Sequence, residues 1–327
     1  MRDSLISNPE YSFLRGLTVG VVCGGTSPER SISLRSGRAV LGALKRSGIH
    51  AIRIDPARRS KFIEQIRRAD LLFLALHGKG GEDGCLQAWL ERRGIPFTAS
   101  GSEACRRSFD KLITKRHLER LKIPTPAYTV IKPADWRLQC SRFPVPYFVK
   151  PLDGGSSQGI FLVEDFKKSA EKIRRSLLRH KRLLIEKKII GRELTAGILG
   201  DCRLPVIEVR PKRSFYDYKA KYTKGMTEYI VPAKIPRKVS GKIRKLAWKA
   251  FRGLGLSGFA RVDFMLDRNE RPFALEVNSI PGLTEFSLLP KAARVIGISF
   301  EELCLRLLRA AVEPKKMELV HYGKKEK

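Results

Sequence analysis

Residues 261–289 read RVDFMLDRNERPFALEVNSIPGLTEFSLL. Two short apolar runs flank the turn signal at Asp267–Glu270, so the segment is expected to form a β-hairpin. Side chains two apart on a strand share a face, which places Glu276 with Asn278 and Arg261 with Asp263. Across a hairpin, Asp263, Glu276 and Asn278 would make a compact cluster of hard oxygen ligands. Mg²⁺ prefers one or two carboxylates plus substrate phosphates, so these three are candidate metal ligands, with Arg261 as a fixed positive charge beside them. The plainer reading is a polar hairpin face in water. It leaves unexplained why a chain with 33 Asp and Glu against 65 Lys and Arg sets two acids beside an Asn, an Arg and a glycine turn.

Upstream, LTVGVVC (17–23) is an apolar, β-branched run ending at Gly24-Gly25, and a helical pattern follows from about Ser31 to Ser47. HAIRID (50–55) and LLFLALHG (71–78) read as further strands with a helix between them. This alternation predicts a parallel α/β sheet, whose site lies beyond the carboxyl ends of the strands. Glu29 and His77 fall there. A helix is expected over Asp110–Leu121. PVPYFVKP (144–151) then enters the loop DGGSSQG (153–159), and LLIEKK (183–188), RELTAGIL (192–199) and LPVIEV (204–209) are expected as strands of one second, mostly antiparallel sheet. Residues 210–228 show no apolar periodicity and are long for a connection, as lids are. A helix from about Pro236 to Leu254 precedes the hairpin, another runs near 299–312, and the basic end of the chain is expected to be disordered.

At 327 residues the chain has room for two or three domains with proper cores. No apolar run approaches the roughly 18 residues of a membrane span. The first residues carry acids and a Pro without an apolar core, so no signal peptide is expected. Six cysteines stand singly (Cys23, Cys85, Cys105, Cys140, Cys202, Cys304), which fits a reduced, cytoplasmic compartment. The net charge of +32 raises nucleic-acid binding as a class. The basic residues are spread along the chain rather than clustered beside aromatic platforms, and the densest run, Lys167 to Arg192, has the look of a solvated helix face leading into a strand. No specific nucleic-acid partner and no membrane partner are therefore expected. Attraction for anionic nucleotides accounts for the charge as well as a proteome-wide bias does.

Three further segments carry chemistry. In 153–159, glycines let backbone N–H groups approach phosphate oxygens, and Lys150 on the preceding strand supplies charge. The loop lacks the P-loop pattern and reads as a phosphate-covering flap through Gly155, Ser156 and Ser157. Backbone near Glu186, Lys187 and Ile189 is suited to an adenine edge, and Glu193 to ribose hydroxyls, although an ordinary exposed strand explains both equally. His77–Gly84 is a glycine-dense turn opening a helix at Leu86–Leu90, and open N–H groups at a helix start favour an anion. A lone histidine is more often structural than catalytic.

Taken together, these stretches resemble the D-alanine–D-alanine ligases of the ATP-grasp family. The resemblance rests on GGTSPERSISLRSG (24–37), ALHGKGGEDGCLQ (75–87), FDKLITK (109–115), FVKPLDGGSSQG (148–159), LIEKKIIGRELT (184–195), FYDYKAKY (215–222), RVDF (261–264) and EVNSIPGLTEFSLLP (276–290). They occur in the family's order and at its spacings over about residues 17 to 313. The resemblance implies α/β and α+β architecture, with an N-terminal parallel α/β domain before a two-part ATP-grasp fold. The expected divisions are an N-terminal extension (1–16), a substrate domain (17–102), a central subdomain (103–190), a C-terminal subdomain with the lid (191–313) and a basic tail (314–327).

It further implies that the carboxylate of one D-alanine attacks the ATP γ-phosphate, and the amine of a second D-alanine then displaces phosphate from the acyl phosphate. Lys111 and Lys150 would hold ATP phosphates and Lys221 the γ-phosphate. Asp263, Glu276 and Asn278 would carry two Mg²⁺ ions, with Mn²⁺ able to substitute. Glu29 would bind the first ammonium with His77 beside it, and Ser156 and Tyr222 would join Glu29 to tie flap and lid. Arg261 and the Gly282 N–H would form an oxyanion hole, while Ser287 and the Leu288 backbone would take the second carboxylate. A homodimer and a place in peptidoglycan precursor synthesis are implied too. The form of the lid resembles the dipeptide-forming type, and D-lactate or D-serine as acceptor is the alternative. Departures from the usual pattern occur at Ser31, Phe109, Gly154 and Ser279-Ile280; none removes a proposed ligand.

Overall fold

The computed structural model describes residues 5, 8–156, 158–212, 223 and 225–312. The expected tail, lid residues 213–222 and 224 with Lys221 and Tyr222, and Ser157 lie outside the described residues. Strand β1 (Thr18–Val22) is followed by α1 (Arg30–Arg46), β2 (His50–Ile54), α2 (Arg59–Arg67) and β3 (Leu71–Leu74). The three strands form a parallel sheet in the order β2–β1–β3, with Val19 opposite both Ala51 and Leu71. All of β3 is buried, as expected where both faces of a parallel strand are covered. Helix α1 turns Ile32, Val40, Ala43 and Leu44 inward. It approaches β1 so closely at Gly37 that any Cβ there would overlap Cys23.

Helices α3 (Cys85–Glu91), α4 (Ser102–Phe109) and α5 (Lys111–Arg120) lead to β4 (Tyr128–Ile131), α6 (Trp136–Arg142), β5 (Tyr147–Pro151), β6 (Phe161–Val163), α7 (Phe166–His180) and β7 (Leu183–Lys187). Asp110 caps α5 by accepting from the Ile113 N–H at 2.9 Å. The four strands form an antiparallel sheet, β4–β7–β5–β6. Next come β8 (Gly191–Leu199), β9 (Cys202–Pro211), β10 (Thr227–Ile230), α8 (Arg237–Gly253), β11 (Phe259–Asp267) and β12 (Pro272–Asn278). These strands make a second antiparallel sheet, β10–β9–β8–β11–β12. Strand 183–187 therefore does not share a sheet with 192–199 and 204–209, as the sequence led us to expect. It pairs with β4 and β5, while β8 turns away to pair with β9 and β11. Three apolar strands in succession carry no signal of which edge each will join.

Two cores lie on the antiparallel sheets, and a third joins the first sheet to Leu204, Ile207 and Val209 of the five-stranded one. Ile173 and Leu177 of α7 pack on the four-stranded sheet with Tyr147, Val149 and Ile185. Val239, Ile243 and Ala247 of α8 pack on the five-stranded sheet, joined there by Ala104, Leu118 and Ile123 from α4, α5 and the turn after them. Helices α9 (Leu288–Val295) and α10 (Phe300–Val312) return to the first sheet and share its core, as do Tyr11 and Leu14 of a short 3₁₀ helix. This return brings the residues after the hairpin against those at the ends of β1 and β3. Among the described residues no helix is long and apolar enough to cross a membrane.

Candidate functional site

The hairpin of β11 and β12 pairs Arg261 with Asn278 and Asp263 with Glu276, before a bulge after Asp263 shifts the register. The four side chains consequently share one face. Asp263 is the best-held of them: Arg261 donates Nε to Oδ1 at 2.8 Å and Nη2 to Oδ2 at 2.9 Å. Thr195 on β8 donates its hydroxyl to Oδ1 at 2.6 Å, and Asn278 Nδ2 donates to Oδ2 at 3.2 Å. Among the described residues no three His, Cys, Asp or Glu converge as a metal cage. Two carboxylates and an amide oxygen on one rigid face fit instead a hard cation that completes its shell with phosphate and water.

Glu276 lines three adjoining hollows. One, of about 510 Å³, lies between the two antiparallel sheets and is bounded by Phe148, Lys150, Lys187, Ile189, Glu193 and Met265. Another, of about 720 Å³, is bounded by Glu29, His77, Ser156, Arg261, Gly282 and Ser287. A narrow cleft between them is lined by Glu82, Lys111, Gly154, Gly155, Glu276 and Asn278. The hairpin thus stands where the two larger cavities meet.

In the first cavity Glu186 is buried, with one oxygen paired to Lys150 and the other to Lys115. Lys115 is 1% exposed and also donates to Thr125 Oγ1 at 2.5 Å. The Glu186 side chain is thus engaged by two lysines and serves to hold Lys150, while Lys187 and Ile189 line the cavity beside it. Burial opposes ionisation of Glu186, but the two ammonium groups outweigh it and its pKa is lowered. Sequence reading missed Lys115. The available signal was its spacing, one helical turn beyond Lys111 in FDKLITK. Lys111 itself donates to the Gly154 carbonyl at 2.7 Å, tying α5 to the flap loop.

The second cavity is assembled from segments that follow strands of all three sheets. Glu29, 6% exposed, stands at the N-cap position of α1 and accepts from the Ser156 hydroxyl of the flap. Added Cβ atoms show how closely it is gripped: at Gly78 one would overlap the Glu29 carboxylate, and at Gly155 one would lie 2.8 Å from Oε1. The loop before Glu29 is braced by Asp55, which accepts from Arg30 at 2.7 and 3.1 Å and from the Gly25 N–H at 3.0 Å. His77 is buried with Nε2 3.0 Å from Ser36 Oγ, and burial lowers its pKa to about 4, so the ring is neutral at pH 7. Glu82 accepts from the Gly78 N–H at 2.6 Å; burial, then Glu29, raises its carboxyl to about 8. Ser287 stands at the N-cap position of α9 without a side-chain capping bond; its hydroxyl instead accepts from the Thr284 N–H at 3.0 Å, and a Cβ on Gly282 would lie 3.0 Å from it. Gly282 and Leu288 line the same cavity.

The chain is similar to known proteins over most of its length. Residues 118–309 match the family model for the D-ala D-ala ligase C-terminus. The chain is 42% identical over 312 residues to the D-alanine–D-alanine ligase of Desulforamulus reducens, covering 91% of this chain and 99% of that one. It is 43% identical over 292 residues to that of Alkalilimnicola ehrlichii, covering 89% and 93%. Its fold is similar to the crystal structure of D-alanine–D-alanine ligase from Bacillus anthracis complexed with ATP, with a TM-score of 0.79, 29% identity and coverage of 90% and 97%. It is also similar to VanG D-Ala:D-Ser ligase from Enterococcus faecalis, with a TM-score of 0.78, 26% identity and coverage of 90% and 99%.

Proposed function

The chain belongs to the D-alanine–D-alanine ligase family, and on that premise we propose that it joins two D-alanine molecules at the expense of ATP, supplying the dipeptide for peptidoglycan precursors. One observation carries the reading: two cavities, one lined by Lys150, Lys187 and Glu193 and the other by Glu29, Arg261 and Ser287, meet at a hairpin face bearing Asp263, Glu276 and Asn278.

In this reading ATP occupies the 510 Å³ cavity, with adenine along Lys187–Ile189 and ribose at Glu193. Lys111 and Lys150 face the phosphates, and the loop with Gly155 and Ser156 covers them; Ser157 is assigned to the same loop contact from the sequence, and Lys221 to the γ-phosphate from the sequence resemblance. Asp263, Glu276 and Asn278 would hold Mg²⁺, or Mn²⁺ in its place, which would supply positive charge to neutralise phosphate. The first D-alanine binds with its ammonium at Glu29, beside neutral His77. Its carboxylate oxygen attacks the γ-phosphorus, the bond to the β,γ-bridging oxygen breaks, and ADP leaves. The deprotonated amine of the second D-alanine, its carboxylate at Ser287 and the Leu288 N–H, attacks the acyl carbon. Arg261 and the Gly282 N–H bear the oxyanion charge until phosphate departs. The contact of Ser156 with Glu29 closes the flap over the site so that water does not intercept the acyl phosphate; Tyr222 is assigned to the same set from the sequence resemblance.

D-alanine is the acceptor favoured over D-lactate and D-serine, because the curated relatives are D-alanine–D-alanine ligases. A cytoplasmic homodimer is the setting that goes with this activity, and sizing in solution tests the dimer. The activity is tested by phosphate release with ATP and Mg²⁺ in the presence of D-alanine, L-alanine, or D-alanine with D-lactate or D-serine, products being identified by mass. D-alanyl-D-alanine is the expected product. A mixed product would move the acceptor, and absence of turnover in folded, ATP-binding protein would overturn the reading.

A further inference from the structure

Lys291 lines the 720 Å³ cavity one helical turn beyond Ser287, in α9. Helical side chains lean toward the N-terminus of their helix, so a long side chain at 291 covers the turn that begins at Ser287. Its ammonium lies 3.9 Å from the centre of the Tyr229 ring on β10, another lining residue. That contact is favourable for a cation but does not neutralise it. Among the described residues Lys291 has no carboxylate partner. Partial burial, then repulsion from Arg294, lowers its pKa, as expected of an ammonium short of an anion. Of the other cations lining this cavity, Arg261 is held against Asp263 at the hairpin, where the ligase reading places the oxyanion, and Arg35 belongs to α1.

We infer that Lys291 is a substrate-binding residue that docks the carboxylate of the second amino acid, supplementing Ser287 and the Leu288 N–H. This rests on the ligase reading and names a charge that the reading does not otherwise use. The flat face of Tyr229 holds the ammonium over the first turn of α9, where an arriving carboxylate meets both. An acceptor without a carboxylate would forfeit the contact.

The test is steady-state kinetics that resolves the KM of the first and second D-alanine in wild type, Lys291→Met and Lys291→Arg, with thermal melts to establish folding and Lys291→Gln in reserve should the methionine variant fail to fold. Loss of a charge-assisted contact is expected to raise the second KM at least about tenfold in Lys291→Met. The first KM should stay within about twofold, and Lys291→Arg should recover most of the loss. A second KM within twofold of wild type would overturn the inference, as would an equal rise in both KM values, which marks general distortion. Wild-type protein that forms no D-alanyl-D-alanine would instead overturn the ligase reading, and this inference with it.

Discussion

Replacing Glu186 by glutamine isolates the electrostatics beneath the nucleotide cavity. Lys115 and Lys150 both pair with this one carboxylate, and their side chains are 1% and 12% exposed against 2% for Glu186. Glu186→Gln removes the anion and leaves two ammonium groups together. Among the described residues Lys115 then keeps neutral hydrogen-bond partners, Thr125 Oγ1 at 2.5 Å and the Ala274 carbonyl at 3.4 Å. Breaking a buried pair in this way typically costs about 3–5 kcal/mol, because an uncompensated charge stays out of water. Lys115→Met is milder: Glu186 retains Lys150, and the desolvation of Lys115 is relieved. About 1–3 kcal/mol is expected, the usual range for an unsatisfied buried group. The double variant should cost less than the sum, since neither half is then left alone. Urea unfolding followed by both circular dichroism and tryptophan fluorescence measures all three, with coincident transitions required before free energies are compared. A Glu186→Gln cost below about 1 kcal/mol, or one smaller than that of Lys115→Met, would refute the claim that Glu186 is the anion on which both lysines depend.

Three other outcomes are expected. Burial raises the pKa of Asp55, but Arg30 and the Gly25 and Ala57 N–H groups outweigh it and bring the carboxyl from 3.8 to about 2. Because the folded value is the lower one, its stabilisation is present above about pH 4 and lost as pH falls toward 2; Asp55→Asn should destabilise the protein by on the order of 2 kcal/mol at pH 7 and by progressively less in acid unfolding experiments below pH 4. Gly78 and Gly80 both have positive φ, +73° and +83°, but only at Gly78 does an added Cβ meet the Glu29 carboxylate. Gly80→Ala should therefore cost about 1–2 kcal/mol of backbone strain, whereas Gly78→Ala should also raise the KM of the first D-alanine; equal kinetics in the two variants would remove Glu29 from that role. Glu276→Ala should weaken Mn²⁺ binding in the presence of ATP, read by electron paramagnetic resonance, and lower turnover by about 10²-fold or more; unchanged Mn²⁺ affinity would take Glu276 out of the metal set.

Much of the site could be read from the chain because its geometry is local. Alternation along a strand puts Arg261 with Asp263 and Glu276 with Asn278, and the four-residue turn Asp267–Glu270 makes the two pairs meet. The β-branched run before Gly24-Gly25 and the glycines of 153–159 are likewise contiguous signals of strand end and flap. Oxygen ligands on one face suggested a metal and a glycine loop suggested phosphate, but the amino-acid and oxyanion roles came from resemblance to a family, since alternation says which side chains are neighbours and nothing about which substrate they bind. Tertiary structure alone decided the rest. It separated strand 183–187 from 191–199 into different sheets, because edge choice depends on partners far away in sequence. It closed Glu29 onto Ser156 across 127 positions, buried Lys115 against Glu186, and set Lys291 over Tyr229. Periodicity fixes the face on which a side chain emerges. Which charge it meets there is settled only when sheets and helices pack, because burial makes an unmatched charge costly and so selects the arrangement that pairs it.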